Sequence, residues 1–261
     1  MSSPGEFYKS LPPISKAFGT LCFVTTVLVQ FSLLSPVDIA LLHNEAFFKF
    51  QVWRFITNFF FLGVFSFSFA IQLLFVARYG VQLEKDSFNG RTADFLWMMI
   101  FGALSLLVLS TVPLLRIFFL GSSMVFMLIY IWSREYHNTK ISIYGIFQMK
   151  AFYFPWAMLA LNVIFGNSII PDLLGLLVGH LYYFLAILHP LSGGKNILAT
   201  PLWVHKLVAR FHLDTPTVAA PFHTTTAARS ISRPTTSGTS SRPTTSGTSG
   251  AFTGRSYRLN S

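Results

Sequence analysis

Two adjacent serines, Ser122 and Ser123, follow Gly121 within a long apolar run. A serine hydroxyl becomes a nucleophile only with a base beside it, and inside a membrane that base must come from a facing helix. The candidate groups are Asp172 and His180, which flank Gly175 and Gly179, with Asn167 just upstream. Small hydroxyl residues in apolar helices more often serve packing, so without a placed histidine the serines read as packing residues. Metal chemistry has little to work with: the only cysteine is Cys22, inside an apolar run, and the 7 histidines are scattered. Four-ligand sites need clustered donors. There is no P-loop and no dinucleotide fingerprint, so no cofactor is expected. A lone cysteine also rules out an intramolecular disulfide, and Cys22 reads as a small buried hydrophobe.

Other residues point to packing and anchoring. Gly175-Leu176-Leu177-Val178-Gly179 places two glycines one turn apart, which lets another backbone approach closely. An intramembrane histidine is costly unless paired, and for His180 a structural hydrogen bond to a neighbouring helix is the favoured reading. Asp172 is expected at the lumenal end of its span, in water. Trp53-Arg54 reads as an anchor, with an indole at the headgroup level and a guanidinium on phosphate or backbone carbonyls.

These residues need a membrane to hold them. Of the 261 residues 52% are hydrophobic and only 11% charged, with 29 Phe. Soluble domains carry about a quarter charged residues. A net charge of +10 raises nucleic acid as a partner, but the cations lie between and after the apolar runs and form no basic stripe, so no nucleic acid is expected. Runs of about 20 apolar residues span a bilayer. The expected spans are Ala17–Leu34, Phe55–Ala77, Ala93–Pro113, Leu114–Trp132, Ala151–Phe165 and Ile169–Leu188. Pro113 and Arg116 mark a hairpin between the third and fourth, and Pro155 starts or bends the fifth. The first run lacks a small-x-small cleavage site and reads as a retained span. With both termini in the cytosol, 16 of the 19 Lys and Arg are cytosolic, leaving Lys49, Arg54 and Arg116 outside.

Three regions follow: a cytosolic N-terminus over 1–16, a six-helix membrane domain over 17–189, and a flexible cytosolic tail over 190–261. The tail holds the nonamer SRPTTSGTS twice in tandem, at Ser232–Ser240 and Ser241–Ser249. Such sequence cannot bury enough apolar surface to fold. Its last residues regain Phe252, Tyr257 and Leu259, a short peptide motif at the end of a tether.

Read in order, several stretches resemble the Derlin family, rhomboid-superfamily members without protease activity. They are Gln51–Phe60 (QVWRFITNFF), Tyr130–Glu135 (YIWSRE), Phe154-Pro155-Trp156, Gly166–Ile170 (GNSII) and Asp172–Tyr182 (DLLGLLVGHLY). The resemblance implies an all-α, rhomboid-like six-helix bundle in the endoplasmic-reticulum membrane. It also implies a role in degradation of misfolded proteins there, in the retrotranslocation path, with a tie to the unfolded protein response. Active rhomboids pair the serine of a GxSG motif with a histidine one turn before a GxxxG. Here that place is Asp172, and Ser123 is followed by Met124. Aligning on Tyr130-Ile131-Trp132 instead puts Gly121 at the nucleophile position; both alignments lack the base. The tail end resembles the SHP box by which Derlins bind the valosin-containing AAA ATPase. Phe252, Gly254 and Leu259 match, and Ser256 replaces the second glycine. The implied partners are that ATPase, a ubiquitin ligase complex, misfolded clients, membrane lipid, and further like or unlike chains in an oligomer. Two rival readings remain: an active intramembrane serine protease, and a transporter, against which the absence of an internal repeat speaks.

Overall fold

The computed structural model describes residues 4–42, 49–112, 115, 117–143, 147–195, 197–211 and 213. Pro113, Arg116 and the tail motif at Phe252, Gly254 and Leu259 lie outside them. The described residues fall within a single compact unit running to Val218. They form a mostly helical bundle with one small β-hairpin, which the all-α expectation lacked.

A short helix α1 (Pro4–Lys9) leads into α2 (Pro13–Gln30). The next elements are α3 (Pro36–Ile39), α4 (Arg54–Thr57) and a 3-10 turn over Asn58–Phe60. Helix α5 (Phe67–Phe75) continues through π-helical turns to Ser87 and is followed by α6 (Thr92–Ser110) and α7 (Gly121–Glu135). Strands β1 (Lys140–Ile143) and β2 (Phe147–Lys150) precede α8 (Phe154–Ile164). Helix α9 (Ile170–Tyr183) is prolonged to Leu191, and α10 (Leu202–Arg210) closes the described chain. The end of the bundle that carries the α2 N-terminus is called the inner end below, and the other the outer end.

Three rods, Pro13–Gln30, Thr92–Ser110 and Ile170–Leu191, are long and apolar enough to cross a membrane. Their 18, 19 and 22 residues span about 27–33 Å at 1.5 Å per residue. The other three apolar helices are shorter. Ala151–Ile164 has 3-10 and α-helical turns, with Pro155 in its first α-helical turn rather than at a bend. Helix α7 sits at the centre. From Ser123 to Ser133 every residue is buried, as expected of a helix apolar on all sides.

The second span is the main correction. The apolar run from Phe55 does not form one helix ending at Arg78. Residues Phe59, Phe61 and Leu62 are buried in the core as a 3-10 turn and extended chain. Gly63 turns the chain at φ +116°. Ser66 then caps α5, its hydroxyl accepting from the Phe69 N–H at 3.2 Å, and the helix carries Arg78, Glu84 and Lys85. The run is apolar because it packs on α7, and hydropathy does not distinguish that from a span. The fourth span likewise begins at Gly121 rather than Leu114.

Inner-end contacts join distant segments. Helix α2 begins Pro12-Pro13 and has no capping side chain of its own. The Glu84 carboxylate supplies the cap, accepting from the Ile14 and Ser15 N–H groups at 2.9 and 2.7 Å. Ser87 and Tyr136 share a hydrogen bond of 3.1 Å, and the Trp132 indole donates to Gln82 at 3.1 Å. Residues 202–210, within the stretch expected to be tail, form α10. Its Val204 and Val208 are buried against Ala93, Leu96 and Trp97.

Candidate functional site

The helices α5, α7, α8 and α9 enclose a cavity of about 320 Å³ toward the outer end. Helices α5 and α8 each pack on α7 more closely than on each other. The gap between them is sealed toward the inner end by Phe75 and Phe154, whose rings meet edge-on at 5.7 Å. At the other end Phe67 and Phe165 line the cavity and are exposed. The wall is largely apolar, yet Ser68, Gln72, Ser122, Asn162, Asn167 and Asp172 all line it.

Asp172 does not stand in water as expected: it is only 4% exposed, and it accepts a hydrogen bond from the Asn162 amide at 2.6 Å. This pair ties the first turn of α9 to the last turn of α8. A buried carboxylate needs such a partner. Asn162 was not singled out from sequence; a lone Asn in an otherwise apolar run was the available signal. Asn167 lies in the loop between the two helices, with its N–H bonded to the Asn162 carbonyl at 2.9 Å. The Gln72 side-chain oxygen is buried without a hydrogen-bond partner among the described residues.

His180 does not line this cavity with Asn167 and Asp172. It lies eight residues beyond Asp172, roughly 12 Å along the helix and about 80° around it. Its Nδ1 meets the Tyr130 hydroxyl at 2.7 Å. This is the hydrogen bond to a neighbouring helix that the cost of an intramembrane histidine predicts. Tyr130 lies seven residues after Ser123 on α7, which puts His180 about 10 Å from Ser123 along the axis. Ser122 faces the cavity that Asp172 also lines. The Ser123 hydroxyl is fully buried and unpartnered among the described residues.

Glycines bring these helices together. A Cβ at Gly175 would stand 2.6 Å from the Phe126 Cβ and 3.0 Å from the Met127 nitrogen, and would also strike the Ser123 carbonyl. At Gly179 it would meet the Tyr130 ring at 2.9 Å. Gly121 serves a different approach: a Cβ there would lie 2.7 and 2.8 Å from the Phe61 and Phe59 carbonyls. The α7 N-terminus therefore docks onto the buried loop.

Arg54 holds that loop together. It is 5% exposed. Its guanidinium donates to the carbonyls of Val37 and Ala40, the latter at 2.9 Å, and to the Gln51 side chain at 2.6 Å. The Asn58 amide donates to the Arg54 carbonyl at 2.6 Å. Of the two partners weighed for the guanidinium, backbone carbonyls are the ones it takes. Trp53 beside it remains half exposed, in a position to meet lipid or another chain.

The Der1-like family matches residues 11–202, which takes in every described element from α2 to the start of α10. The chain belongs to the Der1-like family. It is 58% identical to Derlin-1 of Oryza sativa subsp. japonica over 260 residues, the full length of both chains. It is 64% identical to Derlin-1 of Arabidopsis thaliana over 216 residues, 83% of this chain and 81% of that one. A probable derlin-2 homolog of Dictyostelium discoideum is 38% identical over 214 residues, 80% of this chain and 84% of that one. Membership and the three long apolar rods together make this Der1-like chain a multi-pass membrane protein.

Proposed function

We propose that this protein forms part of the path by which misfolded lumenal and membrane proteins leave the endoplasmic reticulum for degradation. The cavity between α5 and α8 carries this reading. A polypeptide crossing a bilayer must keep its backbone groups hydrogen-bonded, and here an apolar cleft with polar groups along it opens between two helices. The two helices that flank the opening, α5 and α8, are short. The apolar part of α5, residues 67–77, rises about 17 Å, and Ala151–Ile164 about 20 Å, against about 30 Å of hydrocarbon. Lipid thins to meet a short apolar belt, which shortens the crossing beside the cavity.

On this reading all six apolar helices span, and both termini face the cytosol, so the inner end is cytosolic. The chain acts without proteolysis: Asp172, bonded to Asn162, lines the cavity with Ser122, and Tyr130 holds His180 about two turns away. The tail recruits the valosin-containing AAA ATPase through Phe252, Gly254 and Leu259, and a ubiquitin ligase complex works alongside. The test is photo-crosslinking in microsomes. Crosslinkers at Ile71 and Leu161, which line the cavity, should capture a misfolded lumenal client, whereas one at exposed Leu177 should not. No capture at the cavity positions, or equal capture at Leu177, defeats the proposal. Labelling of Ser122 or Ser123 by a fluorophosphonate would restore the protease reading.

A further inference from the structure

The β-hairpin sets two lysines against each other. Its strands pair Lys140 with Lys150, Ile141 with Met149 and Ser142 with Gln148. The Ala151 N–H donates to the Thr139 carbonyl at 2.8 Å. A bond in that place flanks a non-hydrogen-bonded pair, the kind in which facing side chains come closest. The two lysine Cβ atoms are then about 4.5–5.5 Å apart. Ile141 is buried in the bundle core and Met149 packs against it. Lys140, Ser142, Gln148 and Lys150 are all exposed on the other face.

Like charges directly opposite each other weaken a strand pair. Among the described residues neither lysine has an acidic partner; the ion pair found there joins Arg91 to Asp94. The hairpin's position supplies the anion. Lys150 leads directly into Ala151–Tyr153, where Phe152 and Tyr153 are exposed, with Trp156 exposed one turn on. Exposed Tyr and Trp at a helix start mark the headgroup level. A third cation stands nearby, since the Arg134 guanidinium lies 4.4 Å from the Phe152 ring centre.

We propose that Lys140 and Lys150 form a binding site for the phosphate-bearing headgroup of an anionic phospholipid in the leaflet at the inner end. Each ammonium is a compact, strongly hydrated donor, and two of them on adjacent strands reach one phosphate together. The lipid relieves the repulsion across the hairpin and holds the α7–α8 connection at the membrane surface. Naming that leaflet cytosolic rests on the topology proposed above; the lysine pair and its anion do not.

The test uses the full-length protein, delipidated in mild detergent, with bound lipid counted by native mass spectrometry. Phosphatidylserine and phosphatidylcholine are titrated against wild type, Lys140→Gln/Lys150→Gln and Lys140→Glu. A lysine near an anionic surface contributes about fivefold in affinity, so the double variant should bind phosphatidylserine roughly 30-fold more weakly. Phosphatidylcholine binding should be unchanged. Lys140→Glu keeps the hairpin folded by pairing with Lys150, and it should lose the preference to a similar degree. Equal binding of both lipids by wild type, or full phosphatidylserine binding by both variants, overturns the site. A lysine-dependent poly-glutamate complex with no lipid preference would assign the surface to an acidic protein segment and also overturn it. Because the measurement needs no sealed membrane, its outcome is separate from that of protease protection, which tests the topology.

Discussion

Replacing Gly175 by Ala should destabilise the bundle, and replacing Gly179 by Ala should hardly do so, although both belong to one GxxxG. At Gly175 the new Cβ would lie 2.6 Å from the Phe126 Cβ and 3.0 Å from the Met127 nitrogen. Carbon atoms pack at about 3.5–4.0 Å, so the helices must part by about 1 Å. Neither neighbour can rotate away, because one is backbone and the other is fixed to it. Overpacking of this kind costs about 1–3 kcal/mol, and this site belongs at the upper end. Gly→Ala inside a helix returns about 1 kcal/mol, leaving a net loss of about 2 kcal/mol. At Gly179 the nearest atoms are the Tyr130 Cδ1 at 2.9 Å and Cβ at 3.1 Å; the ring can tilt and the Cβ need give by only a few tenths of an ångström, at a cost of about 1 kcal/mol that the helix term offsets. On the scaling for domains of 150–250 residues, the loss at Gly175 lowers Tm by about 4–8 °C. The assay is thermal unfolding of purified variants in one detergent, followed by the half-life of a misfolded reporter client in cells. A Gly175→Ala variant that melts with wild type, or a Gly179→Ala variant that is the less stable of the two, would refute the argument from the backbone contact.

Arg54→Lys should lower stability by about 2–4 kcal/mol despite keeping the charge, because one ammonium cannot serve both the carbonyls and Gln51; thermal melting and protein abundance report it, and a variant as stable as wild type contradicts the clamp. Glu84→Gln retains one acceptor for the α2 N-terminus and should lose about 1 kcal/mol, whereas Glu84→Ala should lose about 2–3 kcal/mol. Equal melting of the two would show that the cap is not what Glu84 provides. A labelled peptide of residues 248–261 should bind the N-terminal domain of the AAA ATPase at roughly micromolar Kd, and Phe252→Ala/Leu259→Ala should abolish binding in the same titration. If both peptides bind equally, the tail motif is not the contact.

Sequence alone determined the membrane character and the family. Apolar composition, cation placement and motif order do not depend on how the helices pack. The Gly175–Gly179 approach and a hydrogen-bonding fate for His180 were also legible, since a glycine pair and an intramembrane histidine each have few low-energy solutions. Tertiary structure decided the rest. Hydropathy reads Phe59, Phe61 and Leu62 as lipid-facing, but burial in the core keeps the same side chains from water too, so only packing distinguishes a loop from a span. The Glu84 cap on α2 joins groups 69 and 70 residues apart, and nothing local in either segment announces the other. Asp172 and Asn162 each look like an isolated polar residue in an apolar run; the turn between α8 and α9 makes them a pair. Tyr130 takes His180 because α7 and α9 run side by side in a register fixed at Gly175 and Gly179. That register depends on backbone contacts, so it became visible only once the helices were in place.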